Sequence, residues 1–128
     1  MIINESISNE RALIIGVIQP GVNDVVINEQ LDELELLAQT AGAKVLGRIT
    51  QKISKINPAT FIGKGKAEQI IKKAQALDVS LILFDDELSP AQIKNYHNLS
   101  DKIKVLYRSG LILDIFQRHA KTNEAKTQ

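Results

Sequence analysis

Seven consecutive residues, Ala12-Leu13-Ile14-Ile15-Gly16-Val17-Ile18, carry no polar side chain, and Val79-Ser80-Leu81-Ile82-Leu83-Phe84 repeats the pattern with only Ser80 breaking it. A strand with one wet face alternates apolar and polar residues, so runs like these belong to strands covered on both faces, as in a parallel sheet. Parallel strands need long crossovers, and the segments between the runs have helical spacing. Gln19-Pro20-Gly21 ends the first run. A loop over 19–28 then leads to a helix, with Asn28 as its expected N-cap and Glu29 near the positive end of the helix dipole. Leu31, Leu34, Leu37, Ala38 and Ala41 fall on the inward face, and Gly42 stands where a C′ glycine stops a helix.

Ala43 to Ile53 reads as a second strand, in which Lys44, Arg48 and Lys52 are four apart and so on one face. A polar loop containing Asn57-Pro58 follows, and Ala59 to Ile62 reads as a strand or strand end. Gly63-Lys64-Gly65-Lys66 turns the chain into a helix that buries Ala67, Ile70, Ile71, Ala74 and Leu77 and ends at Asp78. Beyond the Val79–Phe84 strand, Ser89-Pro90-Ala91-Gln92 combines an N-cap Ser, Pro at the first helical position and Gln three residues after the Ser. That helix runs to about Asn98, Lys102 to Tyr107 forms a fourth strand, and a last helix starts near Gly110. The alternation predicts an α/β fold: a doubly wound, mostly parallel four-stranded sheet with helices on both faces, in order 2-1-3-4. Residues 1–10 read as a flexible lead-in and 11–109 as the α/β domain. The last helix has no Gly or Pro terminator, which suggests a chain cut within it.

Ligands on such sheets gather at the carboxyl ends of the strands. Here those loops include 53–66 and 85–89, so a basic and an acidic segment are expected to share an edge. From Leu36 to Ala67 there is no Asp or Glu, while Lys44, Arg48, Lys52, Lys55, Lys64 and Lys66 give six positive charges. The whole chain is only +1, leaving −5 for the rest. This local basic character points to a phosphate-rich partner. At its centre, Gly63 and Gly65 allow close backbone approach, and the helix start presents unpaired N–H groups beside Lys64 and Lys66, the elements of a phosphate cradle. Arg48, Lys52, Lys55, Gly63, Lys64, Gly65 and Lys66 are the candidate phosphate- or RNA-binding residues. The turn is not a nucleotide P-loop: one residue separates its glycines instead of four, and Ala67 stands where Ser or Thr is needed.

Asp85 and Asp86, with Glu87, are the candidates for a Mg²⁺ site, since hard cations favour carboxylates. The simpler reading, which the sequence favours, is negative charge stabilised beside the next helix N-terminus. A phosphoacceptor site would also need acids after the first strand, where Ile18-Gln19-Pro20 stands. His97 and His119 have no ligand-spaced partners, Ser89 serves as a cap, and no catalytic set is expected. Without cysteine there is no disulfide or thiolate metal site. No apolar run reaches the roughly 18 residues of a membrane span and no signal peptide opens the chain, so a cytoplasmic location is expected. The few aromatics, Phe61, Phe84, Phe116, Tyr96 and Tyr107, argue against base stacking and for contact through phosphates and shape.

Three stretches together resemble the amino-terminal domain of the HflX GTPases: Pro58-Ala59-Thr60-Phe61-Ile62-Gly63-Lys64-Gly65-Lys66, Phe84-Asp85-Asp86-Glu87-Leu88-Ser89-Pro90-Ala91-Gln92, and Arg108-Ser109-Gly110-Leu111-Ile112-Leu113-Asp114-Ile115-Phe116. Thr40-Ala41-Gly42-Ala43 and Arg118-His119-Ala120-Lys121-Thr122 fit as well, so the similarity covers about Glu10 to Gln128. The resemblance implies a domain that binds the large ribosomal subunit and its rRNA, in a protein that splits ribosomes, including stalled or stress-damaged ones. It also implies that 110–128 starts a helical linker to a GTPase domain, a further partner, which holds GTP and Mg²⁺. This chain has neither the GTP-binding P-loop nor an N-K-x-D guanine motif, so no cofactor and no GTP hydrolysis are expected of it. The alternative is a nucleotide-phosphate-binding sensor or a regulatory domain acting on that GTPase domain.

Overall fold

The computed structural model describes residues 7–127, with side chains described as far as Arg118. The elements run β1 (Arg11–Ile18), α1 (Asp24–Thr40), β2 (Lys44–Lys52), α2 (Lys64–Ala76), β3 (Leu81–Phe84), α3 (Pro90–Leu99), β4 (Lys104–Tyr107) and α4 (Arg108–Thr127). The strands form one all-parallel sheet in the expected order, β2-β1-β3-β4.

The two continuous apolar runs become the central pair, β1 and β3, where each strand has a neighbour on both sides and helices over both faces. Leu13, Ile15 and Val17 pack with Ile82 and Phe84 beneath α2 and α3. Ala12 and Ile14 pack with Leu81 and Leu83 against α1 and Leu111 of α4. At Gly16 a Cβ would stand 2.8 Å from Leu31 Cδ1, so α1 approaches β1 as closely as a bare backbone permits. Gly42 ends α1 as expected, with φ +97°. Of the expected lead-in, residues 1–6 lie outside the described residues; Ile7 is fully buried, and the Asn9 N–H donates to Gly42 O at 2.8 Å. The side chains of 119–128, His119 included, also lie outside the described residues.

Four expectations are corrected. First, α1 starts at Asp24, one turn early: Asn23 is its N-cap and its Oδ1 accepts from the Val25 N–H at 2.6 Å, so Asn28 lies inside the helix. Burial of Ile27 extends the stripe Leu31, Leu34, Ala38 by a turn and outweighs the slight helix penalty of Val25 and Val26. Second, Ala59 to Ile62 is not a strand but a tight loop closed by one isolated bridge, Asn57 to Phe61. Third, Leu77 lies past the last turn of α2 and is 42% exposed.

Fourth, Lys44 does not share a face with Arg48 and Lys52. Ala12 pairs with Val45 but Leu13 pairs with Gly47, so Leu46 is an inserted residue. Such a bulge reverses the facing of every later residue, which defeats counting by twos. Val45 therefore packs on the α1–α4 layer and Ile49 on the α2–α3 layer. Lys44 lies opposite Arg11, whereas Arg48 and Lys52 lie opposite Ile14 and Ile18 on the α1 face.

Candidate functional site

Residues 53–63 cross from the end of β2 to the start of α2 at the carboxyl edge of the sheet. Ile53 anchors the loop, buried, with its N–H donating to Ile18 O at 3.0 Å. Asn57 then organises the turn. Its Oδ1 accepts from the N–H groups of Ala59 and Thr60 at 2.8 and 2.9 Å, and its main chain exchanges both hydrogen bonds with Phe61. This closure holds Phe61 at φ +74°, a left-handed conformation that costs a non-glycine residue free energy. The Gly63 N–H donates to Thr60 Oγ1 at 3.0 Å, and Gly63 itself sits at φ 101°, ψ 148°, a region essentially reserved for glycine.

Gly63 is the N-cap of α2, and no side chain caps this helix. The first backbone bond into the helix is Ala67 N–H to Gly63 O at 2.9 Å, so the amides of Lys64, Gly65 and Lys66 precede it. The first turn holds no acid. A Cβ built at Gly63 or Gly65 would meet nothing within 4 Å, so there is open space beside both α-carbons at this helix start. Lys66 Nζ donates to Lys52 O at 2.9 Å, joining the end of β2 to the first turn of α2. Lys52 also borders a cleft of about 240 Å³ with Gln19, Pro20, Gly21, Asp24 and Ile53. Among the described residues, no salt bridge engages Lys52, Lys55, Lys64 or Lys66.

The structure thus brings Lys52, Gly63, Lys64, Gly65 and Lys66 together at one corner, with Lys55 on the intervening loop. Arg48 stands apart. Its guanidinium donates to Asp32 and Glu35 of α1, with Nε to Glu35 Oε1 at 3.0 Å, and these hydrogen bonds raise its pKa, that to Asp32 first.

The acidic segment occupies the same edge at β3, and its side chains face other partners. Asp85 accepts from Arg108 Nε at 2.8 Å and from its terminal nitrogen at 2.6 Å, while that nitrogen also donates to Gln30 O at 2.7 Å. Arg108 so ties β3 and α4 to α1. Glu87 accepts from Ser109 Oγ. Burial, and then the charge of Asp85, push the Asp86 carboxyl up to about 6. Among the described residues, no three His, Cys, Asp or Glu side chains are grouped to hold a metal ion.

The sequence reading missed α3 as a support for the basic loop. Gln92 Nε2, Asn95 Nδ2 and Tyr96 Oη donate to Asn57 O, Ala59 O and Thr60 O at 2.9, 2.8 and 2.7 Å. The signal was present: polar side chains at i, i+3 and i+4 share a helix face. Gln92 was read only as part of the capping box, which the structure does contain: Gln92 Oε1 accepts from the Ser89 N–H at 2.8 Å and Ser89 Oγ from the Gln92 N–H at 3.1 Å.

Residues 28–117 match the family model described as GTP-binding GTPase N-terminal. The chain is 43% identical, over its full length, to the GTPase HflX of Flavobacterium psychrophilum, of which it covers 31%. It is 39% identical to that of Alkalihalophilus pseudofirmus over 93% of its length, covering 28% of that protein. Against the GTPase HflX of Escherichia coli the identity is 43% over 78% of the chain and 23% of that protein. The chain thus spans less than a third of these relatives. Among solved structures it is similar to a variant of SsGBP, with TM-score 0.66 and 25% identity over 92% of this chain and 36% of that one. No helix among the described residues is long and apolar enough to cross a membrane.

Proposed function

This chain belongs to the GTP-binding GTPase N-terminal family, as the N-terminal domain of an HflX-type GTPase, and from that premise we propose that it is a non-catalytic module that binds rRNA of the large ribosomal subunit. The observation that carries the reading is the corner at the start of α2. There Lys64 and Lys66 flank a helix end with no side-chain cap and open space beside its two glycine α-carbons, on a segment with no acid from Leu36 to Ala67. Oriented amides and lysine charge act together on phosphate oxygens. The contact reads backbone and shape rather than bases, because Phe61, Phe84 and Tyr96 are buried against one another and offer no stacking platform.

In this reading 11–109 is the binding domain, 1–10 its lead-in and 110–128 the start of a linker. The remainder of the full protein supplies GTP and Mg²⁺ chemistry, and the whole splits ribosomes in the cytoplasm. This chain hydrolyses no nucleotide, and calorimetric titration with millimolar ATP or GTP is expected to be silent.

The direct test is binding of this chain to large ribosomal subunits over a salt series. With about four phosphates contacted, log affinity falls against log salt with a slope of roughly −3 to −4, and Lys64→Ala/Lys66→Ala makes the slope shallower by about two. A flat salt response, or a double variant that binds like the parent, sinks the reading.

A further inference from the structure

Resting on that reading, we infer that α3 is the positioning element of the basic loop: Gln92, Asn95 and Tyr96 hold it so that Lys64 and Lys66 meet the phosphate backbone already in place. The three donors lie on one face of α3, and their acceptors are three main-chain carbonyls within four residues, Asn57, Ala59 and Thr60. The restraint continues without a gap into α2. Tyr96 holds Thr60 O, Thr60 Oγ1 accepts from the Gly63 N–H, and Gly63 O accepts from the Ala67 N–H. A hydrogen-bonded path therefore runs from a fully buried tyrosine to the first turn of the lysine-bearing helix.

Gln92 shows how tightly the two elements are joined. Its amide oxygen closes the α3 capping box while its nitrogen holds Asn57 O, so one buried side chain serves helix and loop together. A loop ordered during folding does not have to be ordered during binding, and that saving appears as affinity. No charge is involved. Weakening the restraint therefore lowers affinity without changing the number of phosphates met, whereas removing a lysine changes both.

Tyr96→Phe and Asn95→Ala, both neutral, test this. Amide exchange over residues 57–67 of the free chain, and affinity for large ribosomal subunits over the same salt series, are the two readouts. The expected result is faster exchange in the loop, binding weakened roughly fivefold, and an unchanged salt slope. Asn95 is half-buried and its loss spares the core, so this variant decides the matter even where Tyr96→Phe fails to fold. A purely structural role predicts a lower melting temperature with full affinity in the folded fraction, and that result overturns the inference. So does exchange that stays slow in both variants. If the unsubstituted chain binds at no salt concentration, the rRNA reading itself has failed, which is distinct from variants that loosen the loop yet bind like the parent.

Discussion

Asp86 is a carboxyl whose protonation departs from its ordinary state. It sits half-buried at the end of β3 beside Asp85, whose charge is engaged by Arg108, and its carboxyl is raised to about 6. Because the folded pKa lies above the unfolded value of about 3.9, the folded chain binds more protons in this interval, and stability falls as pH rises from about 4 to 6. Allowing for solvent screening of a half-buried group, the loss is about 1 kcal/mol. Asp86→Asn is neutral at every pH and should remove this part of the decline. Denaturant unfolding of both forms at pH 4 and pH 7 checks it: the variant gains stability relative to the parent only at the higher pH. A parallel response in the two proteins places the proton elsewhere.

Elements that advertise themselves locally were legible in the sequence. The apolar runs gave β1 and β3, Ser89-Pro90 with Gln92 gave the start of α3, and Gly42 gave the end of α1. What could not be read depends on pairings and closures that only the folded chain makes. The bulge at Leu46 follows from pairing with β1, the conformation of Phe61 from the Asn57 closure, and the α3 restraint from a contact 35 or 36 residues away. The candidate corner was legible because its ingredients, two glycines and two lysines, are adjacent, while its exclusion of Arg48 was not, because Asp32 and Glu35 lie on α1. The two glycines also differ in role. Gly63 meets a conformational demand, whereas Gly65 sits inside the first turn of α2 with nothing within 4 Å of an added Cβ. Gly65→Ala should therefore stabilise α2 by up to about 1 kcal/mol. In the proposed contact the added methyl narrows the room for a phosphate at the helix start. The expected outcome is a higher melting temperature with weaker binding to large ribosomal subunits, and if both rise together the amides are not part of the contact.

Across the whole molecule, the doubly wound topology sorts charge by face. α1 carries Asp24, Glu29, Asp32, Glu33 and Glu35 and no lysine or arginine, whereas α2, on the opposite face of the sheet, carries Lys64, Lys66, Lys72 and Lys73 against Glu68 alone. At physiological ionic strength charges are screened beyond about 8 Å, less than the separation of helices on opposite faces of a sheet, so the acids of α1 do not cancel the lysines of α2. In the proposed reading, a polyanion is drawn to the α2 side and repelled from the α1 side, which would orient the domain before any specific contact forms. β2 is the edge strand at this boundary. Arg48 is balanced by Asp32 and Glu35, while Lys52 at the end of the strand has its carbonyl held by Lys66 and its ammonium in no salt bridge among the described residues. The two cations should therefore respond differently to removal. Lys52→Ala is expected to make the salt slope for ribosomal-subunit binding shallower by about 0.9, the loss of one phosphate contact. Arg48→Ala is expected to leave the slope unchanged and to lower stability by under about 1 kcal/mol, since its ion pairs are partly exposed. Equal slope changes in the two variants would show that Arg48 leaves its acids for phosphate on binding, and the boundary between the faces would then lie on the α1 side of β2.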